Sequence, residues 1–520
     1  MLLRELVDVS RQVAATRSRK EKTQLIGALL LRAEPGERAL VAHYLGGRLR
    51  QRRTGLGWRG LQALPSPSSE SSLEVGEVDA AFEAMSLLAG PGSAGLRTAA
   101  VAELFGRATA EEQQWLRAVA VGEVRQGALE AIVTEALASA AGVPLTAVRR
   151  AAMLAGGATY VVDAAFEGPA ALAEVGLTVG RPVLPMLASS APDVAAAVAK
   201  AGSATVGVDA KLDGIRIQVH RDGDDVVVAT RSLDDITHRL PEVVAVARSL
   251  PAHRVVLDGE ALWLAADGRP RPFQETASRT SSSAGGDAES VVSPYFFDVL
   301  HLDGTDLIDQ PAHERWQVLE RLVPAAHRVR RWIGSDVAAA TEFAATVLAS
   351  GHEGVVVKSV DAPYDAGRRG SAWVKVKPVH TLDLVVLAVE HGSGRRRGLL
   401  SNIHLGARDA SSPTGFVMLG KTLEETGYEP GWVMVGKTFK GMSDEMLAWQ
   451  TERFRELQVS DDGRVVRVRP EQVVEIAFDG VQRSSRYAGG VALRFARVVR
   501  YRDDKTAGEA DTIATVRSYL

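Results

Sequence analysis

The stretch Asp209-Ala-Lys-Leu-Asp-Gly-Ile-Arg216 lies between two apolar segments, Thr205–Val208 and Ile215–His220, which have the composition of β-strands. A lysine at the end of one strand, followed by an Asp-Gly turn and a second strand, is held on a rigid edge. A lysine side chain acts as a nucleophile only when it is neutral, and neighbouring cations favour that form. The stretch therefore predicts a sheet with Lys211 at its edge, and Lys211 is a candidate nucleophile if other basic residues converge on it.

The rest of the central region alternates between strands and helices. Val226–Thr230 and Val255–Leu257 are predicted strands, and Arg221-Asp-Gly-Asp-Asp225 is a predicted hairpin turn. Helical patterns follow at 241–249, 311–323 and 337–350. This mixture, which begins after Pro182, predicts an α+β domain.

Charged and aromatic residues lie near the ends of the predicted strands. In Trp373-Val-Lys-Val-Lys377, the alternation of a strand places Lys375 and Lys377 on one face, about 6–7 Å apart. The other candidates are Arg368 or Arg369 in the preceding turn, Glu353 and Lys358 at the two ends of a strand, Arg231 after the hairpin, Asp258-Gly-Glu260 at the close of a strand, and Phe296-Phe-Asp298 at the end of an aromatic strand. Such cations suit a triphosphate, the carboxylates suit Mg²⁺, and an aromatic ring suits a base. Each piece alone is more often part of an ordinary sheet.

The region before residue 180 has a helical pattern and an uneven distribution of charge. Residues 1–60 carry 13 Lys and Arg against 5 acidic residues, a net charge of +8, whereas residues 61–180 carry 6 against 14, a net charge of −8. A basic face on a chain with a net charge of only −3 is expected when one surface meets a polyanion. A solvated helix surface is the alternative explanation.

The region after Pro378 has the pattern of a small antiparallel barrel, such as an OB fold. Its predicted elements are strands at Leu382–Val389, Ile403–Gly406, Phe416–Leu419, Val465–Val468, Val473–Ala477 and Ala492–Arg500, with one helix at about 443–457.

Composition excludes several classes of function. The chain has no cysteine, which rules out disulfides, thiol catalysis, iron–sulfur clusters and zinc sites built from Cys. No apolar segment approaches the length of about 18 residues that a membrane span requires. The first residues lack the pattern of a signal peptide. We therefore expect a cytoplasmic protein that has no contact with membranes and is associated with the nucleoid if the cell has no nucleus.

Taken together and in order, these segments resemble the nucleotidyltransferase motifs of ATP-dependent DNA ligases. The matching segments are Lys211-Leu-Asp-Gly-Ile-Arg216, Arg231, Val256-Leu-Asp-Gly-Glu260, Tyr295-Phe-Phe-Asp298, Glu353-Gly-Val-Val-Val-Lys358, Trp373-Val-Lys-Val-Lys377 and Arg494-Phe-Ala-Arg-Val-Val-Arg-Tyr-Arg-Asp-Asp-Lys505. Lesser signatures are Tyr44-Leu-Gly-Gly47, Val124-Arg-Gln-Gly127, Arg181-Pro-Val-Leu-Pro-Met-Leu-Ala188 and Arg269-Pro-Arg-Pro-Phe-Gln274. The resemblance covers nearly the whole chain. It departs from the family at Asp209, where the family usually has Glu, at Thr230 in place of Ser, and at Ala496 in place of Pro.

The resemblance implies a fold, a reaction and a role for each candidate residue. The implied domains are a helical DNA-binding domain at 1–178, an α+β adenylation domain with antiparallel sheets at 179–378 and an OB-fold barrel at 379–520. Lys211 would be adenylated by ATP with Mg²⁺, and the AMP would pass to the 5′-phosphate of a nick in duplex DNA before the strand is sealed. The implied roles are Asp209 at adenine, Phe297 stacked on it, Glu260 at the ribose, Glu353 and Glu260 at the metal, Lys375, Lys377 and Arg369 at the α-phosphate, Arg216 and Arg231 at the ribose–phosphate and nick phosphate, Lys358 near the nucleotide, and Arg502, Asp504 and Lys505 at the pyrophosphate.

Other functions remain open at this point. An RNA ligase or a GTP-dependent mRNA capping enzyme shares the lysine chemistry, but neither explains the long helical region. An NAD-dependent ligase is disfavoured because the chain lacks a Cys₄ zinc site. A scaffold that binds nicks without catalysis is disfavoured because the catalytic lysines and carboxylates are all present. We expect a monomer that acts on nicked DNA in replication, repair or recombination, and the sequence identifies no clamp or repair partner.

Overall fold

The computed structural model describes residues 1–51, 54–127, 130–264, 271, 292–365, 369–392, 396–409, 431–438 and 442–520. The chain forms two compact units, one of residues 1–352 with 356–375 and one of residues 353–355 with 376–520. Within the described ranges, every helix is too short or too polar to cross a lipid bilayer. The predicted strand at 416–419 and the signature at 269–274, apart from Arg271, lie outside the described residues.

The first unit begins with the predicted helical region. Its helices are Leu3–Ala15, Arg19–Arg32, Arg38–Leu45, Val75–Leu87, Ser93–Gly106, Ala110–Ala120, Glu130–Ala141, Leu145–Ala155, Val162–Glu167 and Pro169–Ala173. Local sequence fixes their starts: the side chain of Ser18 accepts a hydrogen bond from the backbone N–H of Glu21, as expected of an N-cap serine. In this region Ala110–Ala120 and Glu130–Ala141 are separate helices, and Gly122 between them adopts a φ of 71°. The N–H of Glu123 then reaches back to the carbonyl of Ala118 and closes the first helix.

Two sheets and their helices complete this unit and confirm the α+β prediction. The strands are β1 (Leu187–Ser190), β2 (Val206–Lys211), β3 (Ile215–Asp222), β4 (Asp225–Thr230), β5 (Arg254–Trp263), β6 (Val292–Leu302), β7 (Thr305–Asp306), β8 (Arg331–Gly334), β9 (Gly354–Ser359) and β10 (Arg369–Val376). The helices are Val194–Ala201, Pro241–Ser249, Ala312–Leu322 and Val337–Ala349. The described strands are ordered β1-β10-β9-β2-β8 in one sheet and β4-β3-β5-β6-β7 in the other. We predicted antiparallel sheets, and one pair, β1 with β10, is parallel.

Strands β5 and β6 are longer than predicted. Asp258 and Glu260 lie in the middle of β5, and Phe297 lies in the middle of β6, whereas the sequence placed each near a strand end. Gly259 allows the two strands to approach closely at this point. A Cβ on it would lie only 2.8 Å from the ring of Phe296. The two strands are antiparallel neighbours, and Glu260 faces Tyr295 across the ladder.

The helical region and the sheets share part of one core. Met153 and Leu154, from the helix Leu145–Ala155, pack in a buried cluster with Val183 and Val256. The N–H of Leu184 also donates to the carbonyl of Met153 at 2.9 Å. The helical region is therefore packed against the sheets within the first unit.

The second unit is built on the predicted antiparallel sheet. Its strands are β11 (His380–His391), β12 (Leu400–Arg408), β13 (Trp432–Lys437), β14 (Gln458–Asp461), β15 (Val465–Val468), β16 (Val473–Phe478), β17 (Gly480–Arg483), β18 (Val491–Arg494) and β19 (Arg497–Tyr501), and its helices are Asp444–Glu456 and Ile513–Arg517. Strand β11 pairs with β12 along one edge and with β15 and β16 along the other, so the sheet curves as in a half-barrel. The predicted strand at 492–500 is split in two because Phe495 adopts a φ of 56°.

Candidate active site

Lys211 lies at the end of β2, as predicted, and the tight turn after it lies against β5. A Cβ on Gly214 would overlap the carbonyl oxygen of Ala261 and would lie 3.0 Å from Cγ of Glu260, so the turn needs glycine. The partly buried Lys211 Nζ is 3.5 Å from the carbonyl oxygen of Leu212. Burial raises the pKa of Glu260 to about 7, against the opposing effects of Lys211 and Arg216. The candidate nucleophile therefore lies in the field of a carboxyl group that exchanges protons near neutral pH.

Asp209, two residues before Lys211, is buried between two cations. Its carboxylate is 2.7 Å from Nζ of Lys358 and accepts two hydrogen bonds from the guanidinium of Arg331. Burial opposes ionisation of Asp209, but the two cations outweigh burial and hold its pKa below the ordinary value. Asp209 is thus a fixed anion inside the sheet.

Arg216 lies in β3 and is anchored by a buried network. Its guanidinium donates to the carboxylate of Asp258 at 3.1 and 2.7 Å and to the carbonyl oxygen of Met186 at 2.6 Å. The hydroxyl of Tyr364 donates to Asp258 at 2.6 Å and so completes the network. Burial opposes the charge on Arg216, but Asp258 outweighs it and raises the pKa of the guanidinium. Arg216 is therefore a permanently charged group whose position is fixed.

An aromatic group lies beside these charges. The rings of Phe297 and Trp373 meet edge to face with centroids 5.8 Å apart. Nζ of Lys358 lies 4.4 Å from the centroid of Phe297 and 4.0 Å from that of Trp373. Cations over aromatic faces are stabilised by the ring quadrupole. The structure thus brings together the predicted residues Asp209, Lys358 and Phe297.

The remaining predicted cations of the first unit lie in different settings. Lys375 is partly buried in β10, opposite Ser190 of β1. Arg369 begins β10, but its side chain lies outside the described part of the structure. Arg231 is exposed after β4 and forms no salt bridge with the described residues. Strand β10 ends at Val376, so Lys377 follows the strand instead of sharing its face with Lys375.

Glu353 and Lys377 form an ion pair within the second unit. Lys377 also lies 3.8 Å from Asp479. Among the described residues, no three His, Asp or Glu side chains are arranged as a complete metal site. Mg²⁺ commonly binds to one or two carboxylates together with substrate phosphates. Glu260 in the first unit and Glu353 in the second unit each present hard carboxylate oxygens.

The residues that were predicted to contact pyrophosphate lie at the end of β19 and form a second charged cluster. Arg502 donates to Asp504 at 2.8 and 2.7 Å and to Asp383 at 3.1 Å. Lys505 donates to the same Asp383 at 2.6 Å. Hydrogen bonds to Asp504 are the largest cause of the raised pKa of Arg502. Asp383 therefore links Arg502 and Lys505 through one carboxylate.

The sequence did not predict roles for several residues that organise these sites. They are Arg331, Tyr364 and Trp373 in the first unit and Asp383 in the second. Of these residues, only Trp373 lies inside one of the quoted motifs, and that position was the one available signal in the sequence. Arg331 and Asp209 are 122 residues apart in the chain, so no local pattern links them.

Comparisons with known proteins agree with this architecture. Three family models match: "ATP dependent DNA ligase domain" at residues 185–377, "ATP dependent DNA ligase C terminal region" at 396–505 and "DNA ligase N terminus" at 59–138. A "Probable DNA ligase" of Nocardioides sp. is 66% identical over 100% of this chain and 99% of its own length. One of Kineococcus radiotolerans is 63% identical over 99% of both chains. The solved structure "Pmar-Lig_PreS3" shares the fold, with a TM-score of 0.60, 17% identity and coverage of 96% of this chain and 99% of that chain. This chain belongs to the family of ATP-dependent DNA ligases.

Proposed function

We propose that the protein seals nicks in duplex DNA by three transfers of a phosphoryl group. In the first, neutral Lys211 attacks the α-phosphorus of ATP, a P–N bond forms and pyrophosphate leaves. In the second, the 5′-phosphate of the nick attacks that phosphorus and releases the lysine. In the third, the 3′-hydroxyl attacks the 5′-phosphorus, and AMP leaves. Dividing one difficult displacement in this way is the advantage of covalent catalysis.

The observation that carries this proposal is the setting of Lys211. Lys211 is the last residue of the buried strand β2, and the carboxyl of Glu260 feels the charges of both Lys211 and the anchored Arg216. A nearby permanent cation disfavours a second positive charge and so favours a neutral lysine. Glu260 is assigned to the ribose and the metal, so the proton that the lysine loses passes to water.

The other residues act on the nucleotide and the nick. We assign Asp209 to the adenine edge, Phe297 to its face, Glu260 to the ribose, Lys358 to the vicinity of the nucleotide, Lys375, Lys377 and Arg369 to the α-phosphate, Arg216 and Arg231 to the ribose–phosphate and the nick phosphate, and Arg502 and Lys505 to the pyrophosphate. Glu260 and Glu353 would hold Mg²⁺, which neutralises phosphate charge when bound. Fixed cations aimed at the developing charge stabilise the transition state.

The wider assignments follow from the same proposal. Residues 1–178 would bind duplex DNA through its phosphates, 179–378 would carry the adenylation chemistry, and 379–520 would form the OB domain. Backbone binding is sufficient because nick sealing must be independent of base sequence. We propose that the chain works as a monomer in DNA replication, repair or recombination.

The decisive experiment follows the fate of α-labelled ATP. The protein is incubated with labelled ATP and Mg²⁺ and run on a denaturing gel. Wild type should carry the label, and Lys211→Ala should carry none but should still seal a chemically pre-adenylated nick at a reduced rate. Lys200→Ala is the matched control, because Lys200 is an exposed lysine that donates to the carbonyl of Ser190. Labelling that persists in Lys211→Ala would exclude Lys211 as the nucleophile.

A further inference from the structure

Arg331 connects the two residues that we assign to the base. It lies on β8 directly opposite Asp209 of β2 in the antiparallel ladder. Nη2 of Arg331 donates to Oδ2 of Asp209 and to the carbonyl oxygen of Phe297, each at 2.8 Å, while Nε donates to Oδ1. The guanidinium also lies 3.8 Å from the ring centroid of Trp316. The ring of Trp316 therefore covers one face of the Arg331 guanidinium, and three hydrogen bonds hold its nitrogen atoms.

Stability alone does not account for this arrangement. Arg331, Asp209 and Lys358 form a row of three buried charges, with side chains 8%, 2% and 3% exposed. Burying charged groups costs desolvation energy, and apolar side chains of similar size are often as stabilising or more so. A buried row of charges beside the candidate nucleophile therefore points to a role in the site.

A second buried ion pair in the same unit provides a contrast. Arg315 makes a two-point contact with Asp298 at 2.8 and 2.9 Å, and both side chains are fully buried. The remaining donors of Arg315 are directed to the carbonyls of Gln310 and Ala362, which lie in loops. Arg315 thus fastens loops, whereas Nη2 of Arg331 also donates to the carbonyl oxygen of Phe297, the residue assigned to stack on the base.

The hydrogen bonds to Asp209 leave space for one more donor. A carboxylate accepts about four hydrogen bonds. Three donors approach Asp209 from the described residues, two at Oδ2 and one at Oδ1, so one acceptor position remains at Oδ1. The position of this oxygen depends on the groups that hold the carboxylate, which are Arg331 and Lys358.

We propose that Arg331 is a positioning residue that sets the base preference of the nucleotide site by orienting Asp209. This inference rests on the proposed function, in which Asp209 contacts adenine. The free position on Oδ1 accepts a hydrogen bond from the 6-amino group of adenine. Guanine presents a carbonyl oxygen at the same place, so two acceptors would face each other without a proton between them. Without Arg331 the carboxylate would turn toward Lys358 and lose this selectivity.

The test compares nucleotides that differ only at this group. Single-turnover formation of the covalent adduct is measured by intact-protein mass spectrometry with ATP and with purine riboside triphosphate, which lacks only the 6-amino group. In wild type, ATP should be preferred over the amino-free nucleotide by about tenfold, as expected for a hydrogen bond to a charged acceptor. Arg331→Met should bring this ratio close to one, and Arg331→Lys should give an intermediate ratio.

The control and the alternative outcomes separate the explanations. Arg315→Lys should lower the melting temperature but keep the wild-type ratio, because Arg315 fastens loops away from Asp209. If Arg331→Met does not fold, Arg331→Lys decides the question. The inference would be overturned if the folded Arg331 variants kept the wild-type preference for ATP over the amino-free nucleotide. It would also be overturned if wild type used ATP and the amino-free nucleotide equally well. Failure of wild type to form any adduct with ATP would instead refute the proposed function.

Discussion

His220 is an example of a single side chain whose protonation state is fixed by its neighbours. The N–H of Gly180 donates to Nδ1 of His220 at 3.1 Å, so Nε2 carries the proton and donates to Gln218 at 2.8 Å. Burial, together with nearby His301, lowers the pKa of His220 to about 3. This bond joins β3 to the segment that connects the helical region to the sheets.

The low pKa of His220 predicts a loss of stability in acid. Because the folded pKa is below the unfolded value of about 6.5, the contribution is full above pH 6.5 and is lost as the pH falls toward 3. Between pH 7 and pH 5 this residue should cost about 2 kcal/mol of unfolding free energy. His220→Gln should remove that part of the change, as measured by urea unfolding at both pH values. His253→Gln, at an exposed histidine, is the control and should keep the wild-type pH dependence; an equal change in both variants would contradict the prediction.

The sequence predicted the chemistry at single positions better than it predicted contacts. Lys211 lies at a strand end as expected because the lysine and its glycine turn are adjacent in the chain. The ion pairs of Asp209 could not be predicted, because Arg331 and Lys358 come from other strands of the folded sheet.

At the level of strands and helices, the alternation of polar and apolar residues located the elements but not their ends. Strand β5 is buried along most of its length on both faces, so its burial does not alternate and the pattern underestimated its extent. Helices were easier to predict, because caps such as Ser443 mark their starts in the local sequence. The break at Phe495 could not be predicted, because a positive φ is unusual for phenylalanine.

The end of β19 carries a cluster in which charges cancel. Arg500 contacts Glu475 at 2.8 Å, Arg502 contacts Asp383 and Asp504, and Lys505 contacts Asp383. Three cations therefore face three carboxylates. Phosphate oxygens can replace Asp383 and Asp504 as the partners of Arg502 and Lys505, because carboxylates and phosphates are both anions that accept hydrogen bonds from cationic groups.

Removal of the last-motif cations should affect one chemical step more than another. Arg502→Ala or Lys505→Ala should slow self-adenylation at least tenfold, since a charged hydrogen bond to pyrophosphate is removed. Sealing of a pre-adenylated nick, which involves no pyrophosphate, should change much less. Arg500→Ala is the matched control, because Arg500 lies at the same strand end and is exposed. Equal decreases in the two assays would show that these residues do not act on pyrophosphate.

Across the whole molecule, the opposite charges of the two N-terminal segments partly neutralise one another. Arg11 pairs with Glu111 at 2.7 Å, and Arg19 pairs with Glu135 at 2.7 Å. Arg50 contacts Asp79 at 2.9 Å in the same way. The net charge of +8 on residues 1–60 therefore overstates the number of cations available to a polyanion.

The exposed cations without such partners should carry DNA binding. Among the described residues of 1–60, these are Arg17, Lys20, Arg48 and Arg59. Replacing all four by Ala should weaken binding to nicked duplex and reduce the slope of log affinity against log salt by about 0.9 for each phosphate that is no longer neutralised. Affinity is measured at several salt concentrations in the full-length chain.

A matched variant tests whether net charge alone is responsible. Arg11, Arg19, Arg50 and Arg107, which already have carboxylate partners, are replaced by Ala in the control, and the slope should change less. An unchanged slope in the first variant would indicate that the basic face is only a solvated helix surface. Substitutions are preferable to removal of residues 1–175, because that deletion would take Met153 and Leu154 out of the shared core.

Trp373 gives the molecule an optical property of its own. Its indole is 5% exposed, and it lies with Lys358 4.0 Å and Arg216 5.6 Å from its ring. The emission of an indole depends on the electric field around it, so displacement of either cation would change the colour of its fluorescence. Binding of a nucleotide to Lys358 or Arg216 should therefore be detectable as a change in intrinsic tryptophan fluorescence, with no dye attached.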